Sequence, residues 1–277
     1  MCLRLLSSGY RVLVFNRTAA RLAPFVGAGA EAAASLRHLA QASVIVTCLD
    51  TVAASEAVYL DGDGVLANAA ERTLLVEHGT ITPALAVRIG EGAVARGLDF
   101  VDAPVSGGPE GAEQGTLAIM AGGSAPAFAR AAHVMRVYGR TIVHMGDVGA
   151  GTEAKLVNQL LTFVHGAAAA EAIALAERLG LDLDALAEVL RAGFGQSRMF
   201  DRTLARVLAG RYEAGAALQL YDKDLGIAAA VGAQEGVPLP VMAAARAILR
   251  ASLDEGLGER DITALRLRYP MDEPKRA

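Results

Sequence analysis

The spacing of apolar positions changes near the middle of the chain. Up to about residue 148 they gather in short runs with β-branched members: Arg11–Phe15, Val44–Leu49, Thr73–Glu77, Leu98–Val101, Leu117–Met120 and Thr141–His144. Such runs read as strands of a buried sheet. Helical spacings lie between them: Met1–Ser8 closed by Gly9, a segment opening at Thr18, and Pro83–Arg96 opened by a proline. Strands that alternate with helices predict an α/β fold, a doubly wound Rossmann-type parallel sheet. After Gly149 only helical periodicity remains. A long alanine-rich helix runs to about Leu179, and breakers at Gly180, Gly193–Gly195, Pro238–Pro240 and Gly256–Gly258 separate further helices. The expected organisation is therefore an α/β domain over 1–148 and an all-α domain over 149–277.

Composition narrows the function classes. The 277 residues are 53% hydrophobic and 20% charged, with a net charge of −4 and a mean hydropathy of +0.35. That is ample material for a core, and much of it is alanine, which suits close helix packing and a buried subunit interface. A slightly acidic chain with no basic run of five argues against a nucleic-acid surface. No stretch of eighteen apolar residues lacks a charge, so no membrane span is expected. Met1–Leu6 is too short for a signal peptide. Two cysteines, Cys2 and Cys48, make no disulfide framework, so a reduced cytoplasmic setting is expected. The five histidines show no metal spacing, and no metal is expected.

Two motifs carry the chemistry. The first is the run Asp102-Ala103-Pro104-Val105-Ser106-Gly107-Gly108, continuing to Gly115-Thr116-Leu117. Glycine lets a backbone turn sharply and approach a ligand. The Ser106 hydroxyl and the Gly107 and Gly108 amides form a donor cluster suited to a carboxylate. A tight surface turn would use the same residues. The second motif is Gly149-Ala150-Gly151-Thr152-Glu153-Ala154-Lys155-Leu156-Val157-Asn158-Gln159. On a helix, Lys155, Asn158 and Gln159 share one face. Desolvation of Lys155 there would lower its pKa toward a value useful for proton transfer. A lysine with a packed stem and a solvated head fits the same spacing.

Together these motifs resemble the β-hydroxyacid dehydrogenase family. Its substrate loop reads D-x-P-V-S-G-G-x-x-x-A-x-x-G-T-L, matched over residues 102–117. Its catalytic block reads G-x-G-x-x-x-K-x-x-N-[NQ], matched over 149–159. The Lys223-Asp224-Leu225 run and Gly258–Leu265 are similar too, so the resemblance spans nearly the whole chain. It implies that Ser106, Gly107, Gly108, Asn158 and Gln159 bind a small carboxylate substrate and that Lys155 is the general acid/base. It also implies a nicotinamide cofactor. Thr80 would lie near the nicotinamide, although His78 and Gly79 depart from the family's usual Met-Ser. Leu49 and Asp50 would lie beside the cofactor and Lys223 would reach back to it, while Asp224 reads as well as a partner for a neighbouring side chain.

Asn16, Arg17 and Thr18 follow the first apolar run, where a Rossmann unit reads the adenosine ribose. A neutral Asn16 and a cationic Arg17 suit a 2′-phosphate, so NADP is expected over NAD. Thr18 could serve merely as a helix cap. Phe194, Gln196 and Arg198 are weaker candidates for pocket residues. The family's G-x-G-x-M-G-x-x-M loop has no counterpart, and Met1 aligns with its last methionine. A strand and phosphate loop are therefore expected to be wanting, through an internal start site or a decayed gene, with weak dinucleotide binding and difficult folding as the consequence. The retained motifs favour the first explanation. An alternative is a catalytically dead dimerisation scaffold; another within enzymes is an imine reductase, which Lys155 opposes. The family resemblance and the Ala167–Ala170 stretch predict a homodimer or homotetramer through the helical domain.

Overall fold

The computed structural model describes residues 1–213, 215 and 217–269, in two compact units that divide between Leu156 and Val157. The first unit opens with helix α1 (Cys2–Ser7), ended by Gly9 at φ +83°. Strands β1 (Leu13–Val14) and β2 (Glu31–Ala32) pair in parallel as a small sheet of their own, with a 3-10 turn over Ala19–Leu22 and helix α2 (Ala23–Gly27) between them. The predicted strand over 11–15 is thus only two residues long, and β2 had no signal in the sequence. Thr18 precedes the 3-10 turn, but its side chain caps nothing; its N–H donates to Asn16 Oδ1 instead (2.9 Å).

The larger sheet contains β3 (Val44–Thr47), β4 (Leu74–Glu77), β5 (Asp99–Asp102), β6 (Val105–Ser106), β7 (Leu117–Gly122) and β8 (Gly139–Gly146). Strands β3, β4 and β5 are parallel neighbours in register Val44–Leu74–Asp99, and β7 and β8 are parallel too. The sheet is parallel as expected of a Rossmann-type domain except around β7, which runs antiparallel to both β5 and β6. The chain reverses through the Ser106–Gly108 turn and helix α6 (Gly108–Gln114), so no crossover helix separates β6 from β7. Helices α3 (Val52–Leu60), α4 (Val65–Asn68), α5 (Pro83–Val94) and α7 (Ala125–Met135) complete this unit. The apolar runs fill two cores, one around Leu74, Val76, Val101, Ile119 and Met135, the other around Ile45, Leu75, Ile89 and Phe100. Alternate residues of β4 feed each core, as the period of two requires.

Helix α8 (Ala150–Arg178) begins in the first unit and continues through the second. By length and composition it could span a bilayer, but half of its most apolar window is buried inside the protein. The helical unit continues with α9 (Leu183–Ala192), α10 (Arg198–Leu208), α11 (Leu218–Gln234) and α12 (Pro240–Asp254), then a 3-10 stretch over Ile262–Arg268. Among its described residues the only β contact is an isolated bridge, Ala217 with Asp261. Asp182 and Ser197 cap α9 and α10 through their side chains, each cap worth about 1 kcal/mol. Buried Asp261 accepts both guanidinium nitrogens of Arg202 (2.7 and 2.8 Å) and ties the 3-10 stretch to α10.

Candidate active site

The site is built on the carboxyl end of β5. Asp102 is fully buried there, and the next residue, Ala103, donates its N–H to Glu77 O (2.7 Å). The chain then crosses Pro104 into β6. Gly107 (φ +127°) and Gly108 (φ +64°) lie in the left-handed region, which explains why this turn is written in glycine. A Cβ on Gly107 would also stand 3.3 Å from Leu117 Cδ2. Both glycines are exposed and Ser106 is half-buried. They open α6, whose first N–H groups have no partner within the helix.

Asp102 fixes the start of α8. Its Oδ1 accepts Gly149 N–H (2.8 Å) and its Oδ2 accepts Thr152 N–H (2.7 Å). Burial pushes the Asp102 carboxyl up to about 6, against the opposing pull of those backbone donors. Glycine at 151 follows from the same packing: a Cβ there would stand 2.5 Å from Met120 O. One turn onward, Lys155 is buried, 7% exposed, and its Nζ donates to Val105 O (2.8 Å). The structure thus brings Lys155 to the residue before Ser106.

In the helical unit, Asn158 donates to Gln159 Oε1 (3.2 Å) and Thr162 Oγ1 (3.3 Å). Gln159 is buried and donates to Asp224 Oδ2 (2.6 Å), while Lys223 Nζ lies 3.1 Å from Asp224 Oδ1. Asp224 therefore joins Asn158, Gln159 and Lys223 in one polar cluster between α8 and α11, and has the partners expected of it. Phe194 is fully exposed, Arg198 is exposed, and Gln196 donates to Asp201 (3.2 Å).

The remaining candidates follow the carboxyl ends of strands, where α/β folds bind ligands. Asn16, Arg17 and Thr18 follow β1 and are exposed; Arg17 has no ion-pair partner among the described residues. Leu49 and Asp50 follow β3, and Thr80 follows β4. The fold implies a nicotinamide dinucleotide. Arg17, with no ion-pair partner among the described residues, is the candidate for its adenosine-ribose end, and Leu49 and Thr80 are the candidates beside its nicotinamide. No G-x-G-x-x-G run occurs in the sequence to take the pyrophosphate. Among the described residues, no three His, Cys, Asp or Glu side chains gather as a metal site.

Buried Glu77 and Tyr138 beside these were not singled out from the sequence, and His78 only as a departure from the family pattern. Glu77 is fully buried and accepts Thr47 Oγ1 (3.0 Å) and Gly79 N–H (2.5 Å). A Cβ at 79 would stand 2.6 Å from Glu77 Oε1, so the glycine makes room for the carboxylate. His78 is buried between Ala103 O and the hydroxyl of buried Tyr138. The only available signal was a charged and an ionisable residue closing an otherwise apolar strand.

A sheet with loops at its carboxyl ends, followed by a helical unit, is an arrangement that nicotinamide-dinucleotide oxidoreductases use. Residues 1–146 match the NAD binding domain of 6-phosphogluconate dehydrogenase, and residues 149–268 the NAD-binding domain of NADP-dependent 3-hydroxyisobutyrate dehydrogenase. The chain is 36% identical over 267 residues to 2-(hydroxymethyl)glutarate dehydrogenase of Eubacterium barkeri, covering 96% of this chain and 89% of that one. It is 37% identical over 273 residues to NAD-dependent L-serine dehydrogenase of Pseudomonas aeruginosa, covering 96% and 92%. A solved 3-hydroxyisobutyrate dehydrogenase from Salmonella typhimurium superposes with a TM-score of 0.86 at 32% identity, covering 96% and 94%. The chain belongs to the NAD(P)-dependent β-hydroxyacid dehydrogenase family, oxidoreductases acting on CH–OH groups.

Proposed function

We propose that this protein interconverts a small β-hydroxyacid and its semialdehyde, with Lys155 as general acid/base and NADP as the preferred cofactor. The observation that carries the reading is the buried Lys155, held on the Val105 carbonyl beside Ser106. Ser106 and the Gly107 and Gly108 amides take the substrate carboxylate. The Asn158 amide orients the reacting oxygen, and Gln159 orients Asn158. Lys155 gives its proton to the carbonyl oxygen in reduction and takes it back in oxidation. The bound nicotinamide supplies or accepts the hydride. Two unpaired cysteines suit a reducing cytoplasm. A panel of small β-hydroxyacids, followed by nicotinamide absorbance, tests the reading. Turnover of none of them, with cofactor bound, would overturn it and favour a scaffold.

The cofactor preference rests on Arg17, exposed at the end of β1 with neutral Asn16 beside it. The matches include both an NAD-dependent relative and an NADP-dependent family, and Arg17 is what supports NADP here. Arg17→Asp replaces attraction for a 2′-phosphate with repulsion. It should move the ratio of kcat/KM for NADPH over NADH down by about 10–100-fold, or 1.4–2.7 kcal/mol. A wild type that already prefers NADH would refute the preference.

Assembly as a homodimer or homotetramer is proposed from α8. Val157 (62% exposed), Leu161 (48%), Ala168 and Leu175 (61%) recur at spacings of four and seven along it. An apolar stripe at that period is a seam for another helix. A stable interface there should bury on the order of 2,000 Å². Light scattering should find a homo-oligomer, and Leu161→Glu with Leu175→Glu should release monomers. A monomeric, active wild type would end this proposal.

A further inference from the structure

His78 stands between the end of β4 and the substrate loop, and both of its ring nitrogens are engaged. Nδ1 lies 2.5 Å from Ala103 O and Nε2 lies 2.9 Å from Tyr138 Oη. A carbonyl oxygen only accepts, so Nδ1 carries the proton. In the neutral ring Nε2 is then the acceptor, and the Tyr138 hydroxyl donates to it. The Tyr138 ring stands edge-on to the imidazole, with centroids 5.5 Å apart. Both side chains are buried, 2% and 0% exposed, so water does not compete for these bonds.

The acceptor is the informative partner. Ala103 is the first residue of the loop that turns through Pro104 and Val105 to Ser106. Its N–H is already tied to Glu77 O (2.7 Å). With its carbonyl on His78, both polar groups of this residue are held by consecutive residues of the β4 end. Two residues further, Val105 O receives Lys155 Nζ (2.8 Å). The bond to His78 is thus a side-chain restraint two residues before the carbonyl that seats Lys155, and Pro104 O between them accepts Met120 N–H (3.1 Å) from β7.

We propose that His78 is a positioning residue for the substrate loop: through Ala103 it sets the Val105 carbonyl, hence Lys155, and the Ser106–Gly108 donor cluster. This rests on the reading of Lys155 and that loop given above. Displacing a reacting group by an ångström costs on the order of 100-fold in rate, so a single buried bond at the root of the loop has leverage over both binding and turnover.

The two nitrogens can be separated by substitution. In His78→Asn the amide nitrogen stands near the place of Nδ1 and keeps the bond to Ala103. In His78→Gln the longer amide reaches the place of Nε2 and keeps Tyr138 alone. His78→Met keeps neither. His78→Gln and His78→Met should raise KM for the hydroxyacid and lower kcat, together about 10–100-fold in kcat/KM, with KM for the cofactor unchanged. His78→Asn should stay within a few-fold of wild type. Amide hydrogen exchange over residues 103–108, without substrate, should speed up in the Gln and Met variants and not in Asn. Melting temperatures of the three identify any variant that does not fold, and exchange is then read on those that do. Equal kinetics and equal exchange in the Asn and Gln variants would overturn the proposal. The expected exchange pattern across the variants, with no hydroxyacid turned over by the wild type, would overturn the proposed function and leave the loop restraint standing.

Discussion

Lys155→Ala should turn over substrate about 10²–10⁴-fold more slowly than wild type, the usual loss when a general acid is removed. The side chain is buried and its ammonium is seated on Val105 O, so it is pre-positioned. Cofactor affinity should change little, because the cofactor candidates Asn16, Arg17, Leu49, Asp50 and Thr80 are on other strand ends. Lys155→Arg should not rescue the rate. A guanidinium stays protonated at any working pH and cannot take the proton back in the oxidative direction. Truncation also leaves Val105 O without this donor, at about 1 kcal/mol, a small loss beside the rate effect. Pre-steady-state measurement of reduction separates the chemical step from product release. Near-normal turnover in Lys155→Ala would place the proton elsewhere.

Much of the scaffold that holds this lysine was legible in the sequence. The β-branched runs that became β3, β4, β5 and β7 had to be strands, because they are too short for helices and too apolar for loops. Helix α8 runs over Ala150–Arg178 and the reading ended it at about Leu179, because Gly180 and an alanine-rich span leave little choice. What failed was local pairing. Strands β2 and β6 have two residues each, and two residues carry no period. The antiparallel turn onto β7 is made by the same Gly107-Gly108 pair that was read for ligand approach, and one pair of glycines can serve both ends. The break between α10 and α11 also went unread. In the site, residue types were legible but partners were not. Gln159 reads as a substrate contact, yet its amide nitrogen is on Asp224, 65 residues away. Asp102 reads as part of a loop signature, and only the fold reveals it as the buried cap of α8. Long-range pairings of this kind leave no mark on spacing along the chain.

Asp102 and His78 should pull the acid stability of this protein in opposite directions. Asp102 titrates near 6 in the folded protein, raised from 3.8 by burial. Between about pH 4 and 6 the folded state holds this proton and the unfolded state has lost it. Stability from this group therefore falls as pH rises through the window, by about 3 kcal/mol. Burial pushes His78 the other way, down to about 4 from 6.5. Between about pH 6.5 and 4 the unfolded state takes a proton that the folded state refuses, so stability from His78 falls as pH drops, again by about 3 kcal/mol. The two nearly offset between pH 4 and 6. Removing either should expose the other. Asp102→Asn keeps one acceptor for the α8 amides and should lose stability toward acid more steeply than wild type. His78→Met should gain stability relative to wild type as pH falls from 6 to 4. The double variant should run parallel to wild type. Urea denaturation midpoints across pH 4–7, taken as differences from wild type, cancel the surface carboxylates common to all four proteins. If either single variant follows the wild-type pH slope, that group is not buried in the charge state described.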